Sequence, residues 1–162
     1  MPISLDEARV KALITEEKKY SKISLALPFP YGKNLLPAKS LFTKMEYSID
    51  INKARYELSK VTFQGRVYGR CPIVRIDLDT KPHRNPNQEV IDGAHIHIYK
   101  EGYDMGWAYP LDHDMIKSLN PNINLAEMIS ANEYKRFKLF NALCNLSNEP
   151  ELIKSSLFNV SE

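Results

Sequence analysis

Three of the four histidines of this chain, His83, His95 and His97, fall within fifteen positions of one another. His95 and His97 stand in the run Ala94-His95-Ile96-His97-Ile98-Tyr99, where apolar and polar residues alternate. Alternation is the period of a half-buried β-strand. Successive side chains of a strand point to opposite faces, which predicts His95, His97 and Tyr99 on one face, alternate residues about 7 Å apart. By the same rule the run Val74 to Asp79 puts Arg75, Asp77 and Asp79 on one face, and Val61 to Tyr68 does so for Gln64, Arg66 and Tyr68. With all apolar partners facing one core, the three polar sets share a single surface.

Such a surface suits phosphodiester chemistry. One neutral imidazole can take a proton from a ribose 2′-hydroxyl while a second protonates the leaving oxygen. His95 and His97 are the candidates, with His83 folding back from its loop. Arg66 and Arg75 can hold a phosphate by bidentate contact. Gln64, Tyr68, Tyr99, Trp107 and Tyr109 are candidates to contact or stack on bases. That scheme needs no metal and no other cofactor.

A second chemistry fits the same residues. His95-Ile96-His97 is a histidine–hydrophobic–histidine strand, with Asp77 as a third candidate metal ligand. The motif resembles that of the replication-initiator and relaxase endonucleases, in which a helical tyrosine, often followed by a lysine four positions on, is the nucleophile. Tyr134 and Lys138 have that spacing. A third reading attaches no chemistry, because the outer face of a half-exposed sheet carries charges wherever water meets it. Cys71 and Cys144 lie far apart in dissimilar settings, which excludes a disulfide framework and a zinc ribbon.

The elements that must position these residues are legible in outline. Ser4-Leu5-Asp6-Glu7 fits a capping box, and the apolar spacing after it predicts a helix to about Tyr20. Pro28, Pro30, Gly32 and Pro37 predict turns and extended chain, with one short strand near Ile23 to Leu27. Four alternating runs, Met45–Ile51, Val61–Tyr68, Val74–Leu78 and Ala94–Tyr99, predict an antiparallel meander. The connector Thr80 to Gly93 is rich in turn formers, and Trp107 to Leu111 is a candidate edge strand stopped by Pro110. Helices are expected over Ile123–Ile129 and Glu133–Leu146. The fold class is therefore α+β: a twisted antiparallel sheet of about four to six strands, with N- and C-terminal helices packed on one face. One domain is expected over residues 1–162, divided into helix (1–20), sheet (21–111), helices (112–150) and tail (151–162).

Composition bounds the partners. The 162 residues are 43% hydrophobic and 26% charged, an ordinary globular balance. A net charge of +2 places no global demand for a polyanion or an anionic membrane, though Lys53, Arg55, Lys60, Arg66, Arg70, Arg75 and Lys81 cluster in sequence. The N-terminus lacks a basic segment followed by an apolar one, and no apolar run approaches the roughly 18 residues of a membrane span. A cytoplasmic chain with reduced thiols and no membrane contact is expected.

The stretch Val74 to Leu111 resembles a small bacterial family of unknown function that is common on prophages and other mobile elements. The shared pattern is Arg75-Ile76-Asp77, Pro82-His83-Arg84-Asn85-Pro86, His95-Ile96-His97-Ile98-Tyr99, Glu101-Gly102-Tyr103 and Trp107-Ala108-Tyr109-Pro110-Leu111. Thr62-Phe63-Gln64-Gly65-Arg66 belongs to it as well. Asn87, Gln88 and Lys100 depart mildly from the usual segment. The resemblance implies that His83, His95, His97 and the Trp107 segment form one site, and it implies a part in conflict between phage and host. The preferred reading is a metal-independent endoribonuclease, because a binding surface has no special need for three histidines; the alternatives are a counter-defence protein of anti-CRISPR type, binding a host nuclease or its guide RNA, and then a metal-dependent single-strand endonuclease. The expected partners are RNA or single-stranded nucleic acid, or a host defence ribonucleoprotein.

Overall fold

The computed structural model describes residues 4–56, 60–78 and 81–154. Helix α1 (Glu7–Thr15) is followed by β1 (Lys18–Tyr20), β2 (Ser24–Leu27), β3 (Gly32–Ser40), β4 (Glu46–Lys53) and β5 (Val61–Val67). Then come β6 (Cys71–Asp77), β7 (His83–Arg84), β8 (Val90–Ile91), β9 (His95–Ile98) and β10 (Ala108–Pro110). The chain ends in α2 (Asp114–Leu119), a 3-10 turn (Leu125–Ile129), α3 (Glu133–Leu143) and β11 (Glu151–Lys154).

Seven strands form one antiparallel sheet in the order β1-β3-β4-β5-β6-β9-β10. The four alternating runs are its four neighbouring central strands, β4, β5, β6 and β9. Only the small β7–β8 pair interrupts the meander. The apolar sides of these strands, among them Tyr47, Ile49, Ile51, Phe63, Ile76 and Ile96, are buried. Helix α3 covers them through an aromatic cluster, with Phe63 against Phe140 at 5.6 Å and Phe29 against Phe137 at 6.1 Å between ring centres. Helix α1 adds Val10, Leu13 and Ile14 to the same core. The terminal helices therefore lie on one face, as an α+β sheet with a single apolar side requires.

The structure differs from the expected layout in four places. Asp6, not Ser4, caps α1, accepting from the Arg9 amide at 2.7 Å. The helix stops at Thr15, and Lys18 to Tyr20 form an edge strand instead of a last helical turn. Strand β3 runs through the stretch expected to be turns. Pro37 fits there because its carbonyl, and hence its missing N–H, faces the β1 side just past the end of that short strand. Finally, Glu151–Lys154 pair in parallel with β2 where a tail was expected. Asp79 lies outside the described residues.

Lys18 explains the early end of α1. Its side chain is 1% exposed, and its Nζ donates to Ile14 O at 2.7 Å, Glu16 O at 3.0 Å and Cys144 O at 2.7 Å. The orphan carbonyls at the C-terminal ends of α1 and α3 thus converge on one ammonium, where helix dipoles favour positive charge. Burial pushes this amine down to about 8, so it is still a cation at neutral pH.

Candidate metal centre

The register of the central strands builds the site. Arg75 pairs with His97 and Asp77 with His95 across β6 and β9, so all four side chains stand on the face opposite the core. This face is not solvated around the histidines: His95 is 3% exposed and His97 2%. The β7–β8 loop lies over them. His83 brings its ring to 4.7 Å from that of His97 and 5.7 Å from that of His95, and those two rings are 5.0 Å apart.

Each of the three rings is tied at one nitrogen. His95 Nδ1 contacts Gly93 O at 2.7 Å, His97 Nδ1 contacts Met105 O at 2.8 Å, and His83 Nε2 contacts Gly106 O at 2.9 Å. A carbonyl oxygen only accepts, so each of these nitrogens carries the proton. In the neutral rings of His95 and His97 the lone pair is then on Nε2. Both Nε2 atoms face Asp77 Oδ2, at 3.4 Å for His95 and 3.3 Å for His97. The His97 Nε2 is buried and makes no hydrogen bond. Three electron-rich atoms, one from each residue, thus lie within 4.8 Å of one another. Facing lone pairs repel unless a proton or a cation stands between them. Two imidazoles and a carboxylate, each imidazole anchored by its far nitrogen to a backbone carbonyl, form a donor set that suits a divalent transition metal.

Arg75 braces the carboxylate from outside. Its Nε donates to Asp77 Oδ1 at 2.9 Å and its Nη2 to Oδ2 at 3.1 Å. Burial works to raise the Asp77 carboxyl; N–H donation from the two imidazoles, which needs the proton on Nε2, and the Arg75 fork outweigh it and hold the carboxyl well below the ordinary carboxylate range, so it is an anion whether a proton or a cation stands between it and the rings. From Asp77 a cleft of about 410 Å³ runs across the sheet, lined by Arg75, Gln64, Thr62, Lys60, Asp50 and Lys33 among others.

The remaining sequence candidates divide. Gln64 and Arg66 share the face but are held by Asp50, through Arg66 Nε to Oδ2 at 2.7 Å and Gln64 Nε2 to Oδ2 at 3.3 Å. Tyr68, Tyr99 and Tyr109 do not join the histidines. Tyr68 sits at φ +55° in the β5–β6 turn and bonds Arg9 of α1. Tyr99 follows the last residue of β9, where alternation lapses, and its hydroxyl meets the Leu5 amide. Tyr109 pairs with Ile96, which fixes it on the core face. Trp107 meets Tyr103 edge to face at 5.3 Å between ring centres, and the Lys100 ammonium lies 4.3 Å over its ring. Tyr134 is on the wrong side for a nucleophile: α3 covers the apolar face, and the Tyr134 hydroxyl bonds Glu149 at 3.1 Å.

Sequence reasoning missed Asn85, which it read only as a turn former. Asn85 is 2% exposed, and its amide bonds Ala108 at both ends: the Ala108 N–H donates to Oδ1 at 2.8 Å, and Nδ2 donates to Ala108 O at 2.9 Å. The side chain thus pairs with edge strand β10 as a strand would, and so fixes the loop that carries His83. No sequence signal separates this role from an ordinary turn.

Residues 5–137 match a family described as one of unknown function, DUF6978. The chain belongs to that family. The DUF6978 match spans the donor triad, His83, Asn85 and the whole cleft, and stops within α3. No curated protein and no solved structure matches the chain. Among the described residues no helix is long and apolar enough to cross a membrane.

Proposed function

We propose that this DUF6978 chain is a metal-dependent phosphodiesterase that acts on a nucleic-acid strand. The observation that carries the reading is the convergence of Asp77 Oδ2 with the two Nε2 atoms of His95 and His97. A bound divalent ion supplies a Lewis acid and an activated water at neutral pH. The chain's own residues do the rest. Gly93 and Met105 carbonyls fix the ring orientations, Arg75 holds the carboxylate, and the cleft offers Lys33 and Lys60 to neighbouring phosphates. Thr62, Asn52 and Gln64 give its floor hydrogen-bonding groups for bases or riboses.

The metal-independent scheme fits this geometry poorly. An acid and a base must flank the phosphate. Here both Nε2 atoms point at one carboxylate oxygen, and both Nδ1 protons are committed to backbone. The covalent-tyrosine variant is set aside with the position of Tyr134.

Titration of the apo protein with Mn²⁺ and Zn²⁺ by calorimetry, beside cleavage of labelled RNA and single-stranded DNA, tests the proposal. One site per chain is expected, together with cleavage that EDTA abolishes and His95→Ala/His97→Ala removes. Metal binding without cleavage of either strand would leave a structural ion and sink the enzymatic reading. Cleavage that survives EDTA would sink the metal.

A further inference from the structure

The basic run that the sequence shows from Lys53 to Lys60 takes no part in the metal centre. It lies at the end of the sheet where β3 begins and β4 ends. There Gly32 pairs with Lys53, and the Ala54 N–H donates to Lys60 O at 3.1 Å, closing the turn into β5. One row of directly paired residues, Asp77–Thr62–Asn52–Lys33, joins this end to the metal centre along the cleft. With neighbouring strands about 4.8 Å apart, the row is about 14 Å long.

Two tyrosines stand beyond the far end of that row. Tyr56 is 92% exposed and meets no ring and no cation among the described residues. Tyr31, 47% exposed, is on the rim towards α3, where Lys53 pairs with Glu133. Arg55 Cζ lies 5.3 Å from the Tyr31 ring centre, and Lys53 Nζ lies 5.2 Å from it. A single exposed aromatic is ordinary. Here two flank a set of cations: residues 31–34, 52–56 and 60 hold Lys33, Lys53, Arg55 and Lys60 and no acid. The sequence of the turn adds one acid, Glu57, which lies outside the described residues. Cations interleaved with aromatic rings suit an unpaired strand, whose phosphates meet the charges while each base offers a face to stack. Arginine's planar group stacks as a ring does, so the Tyr31–Arg55 pair is a platform already assembled.

We propose that this end of the sheet binds a single-stranded nucleic acid, its bases stacking on Tyr56 and on the Tyr31–Arg55 pair while its phosphates meet Lys33 and Lys60 on the way into the cleft. The inference rests on the nucleic-acid reading of the cleft and names the substrate class: a strand with unpaired bases. A duplex keeps its bases paired inside and has no face to give the tyrosines.

Fluorescence anisotropy of the full chain in EDTA, which holds metal-dependent cleavage off, reads binding by itself. The probes are labelled oligo(U) and oligo(dT) of about ten nucleotides, a duplex of the same length, and a sugar–phosphate strand without bases. Both single strands are expected to bind, since stacking needs only a base. Tyr56→Ala and Tyr31→Ala are each expected to weaken them about tenfold. Tyr56→Phe and Tyr31→Phe, which keep the ring, are expected to bind as the parent does. No charge is lost in any of these variants, so the salt dependence is expected to stay that of the parent. The strand without bases is expected to bind parent and alanine variants alike. Four outcomes would each overturn the proposal: equal affinity of parent and both alanine variants, an equal loss with the strand without bases, a duplex bound as tightly as the single strands, or no measurable binding at low salt. Cleavage is scored apart. Cleavage alongside tyrosine-independent binding sinks this inference alone, whereas tyrosine-dependent binding without cleavage sinks the enzymatic reading and upholds the stacking site.

Discussion

Asp77 is the residue on which the candidate centre turns. Asparagine keeps its shape but removes the charge that faces two imidazole lone pairs. Asp77→Asn is therefore expected to weaken metal binding by more than the roughly 10–100-fold that even supporting groups are worth. In the parent, metal at about a hundred times its Kd adds ~2.7 kcal/mol of stability. That corresponds to a rise in Tm of roughly 5–10 °C for a chain of this size. Scanning calorimetry with and without Zn²⁺ checks both, and an equal rise in parent and Asp77→Asn would remove Asp77 from the ligand set. The triad was legible because parity alone places Asp77, His95 and His97 on one face. Its burial was not, because nothing in an alternating strand tells that a loop will close over its polar side. Tyr99 and Tyr109 were misplaced for a related reason: parity carries only as far as the strand pairs, and the chain turns between them at Gly102 and Asp104, both at positive φ.

At the scale of elements, single side chains do the joining. Asn85 ties the loop apex to β10, and both of its bonds are buried. Asn85→Ala is expected to cost about 2 kcal/mol, the sum of two such bonds. It is also expected to speed hydrogen exchange at the Ala108 amide, and unchanged protection there would show that β10 is covered by something else. Lys18 does the same for the helix ends. Lys18→Met leaves three carbonyls without their donor and is expected to cost about 3–5 kcal/mol, in the range for several buried acceptors left unpaired; urea unfolding measures it. Cys144 gives this junction an alkaline limit. Burial pushes its thiol up to about 11 from an ordinary 9, so the unfolded chain loses the proton first. The thiol's contribution is full below about pH 9 and falls as pH rises towards 11. Cys144→Ala is expected to gain on the parent across that window, and parallel pH profiles would contradict the shift. None of these joints could be read from the sequence, where Lys18 looks like a solvent-facing residue of a longer helix.

For the molecule as a whole, the sheet was legible because four strands alternate cleanly, and the two strands missed are those whose local signals point elsewhere. β1 continues the apolar spacing of α1, and β3 carries Gly32 and Pro37, which local rules assign to turns. The finished sheet keeps its two faces chemically distinct, apolar under the helices and polar around the cleft. That asymmetry limits how the chain can hold a nucleic acid. With a net charge of +2, attraction cannot come from the whole surface and must come from the cations of the cleft. Its cations are Lys33, which lies 4.0 Å from Asp50, Lys60, and Arg75, which is paired with Asp77. Two to three phosphate contacts give a slope of about −1.4 to −2.1 in log K against log salt for a single strand. Lys33→Gln is expected to flatten that slope by about 0.7 and to weaken binding alike for all sequences, with metal affinity unchanged. Fluorescence anisotropy with a labelled oligonucleotide over a salt series measures it. A slope near −5 would demand phosphate contacts far outside the cleft, and no measurable binding at low salt would leave the metal centre without a nucleic-acid substrate.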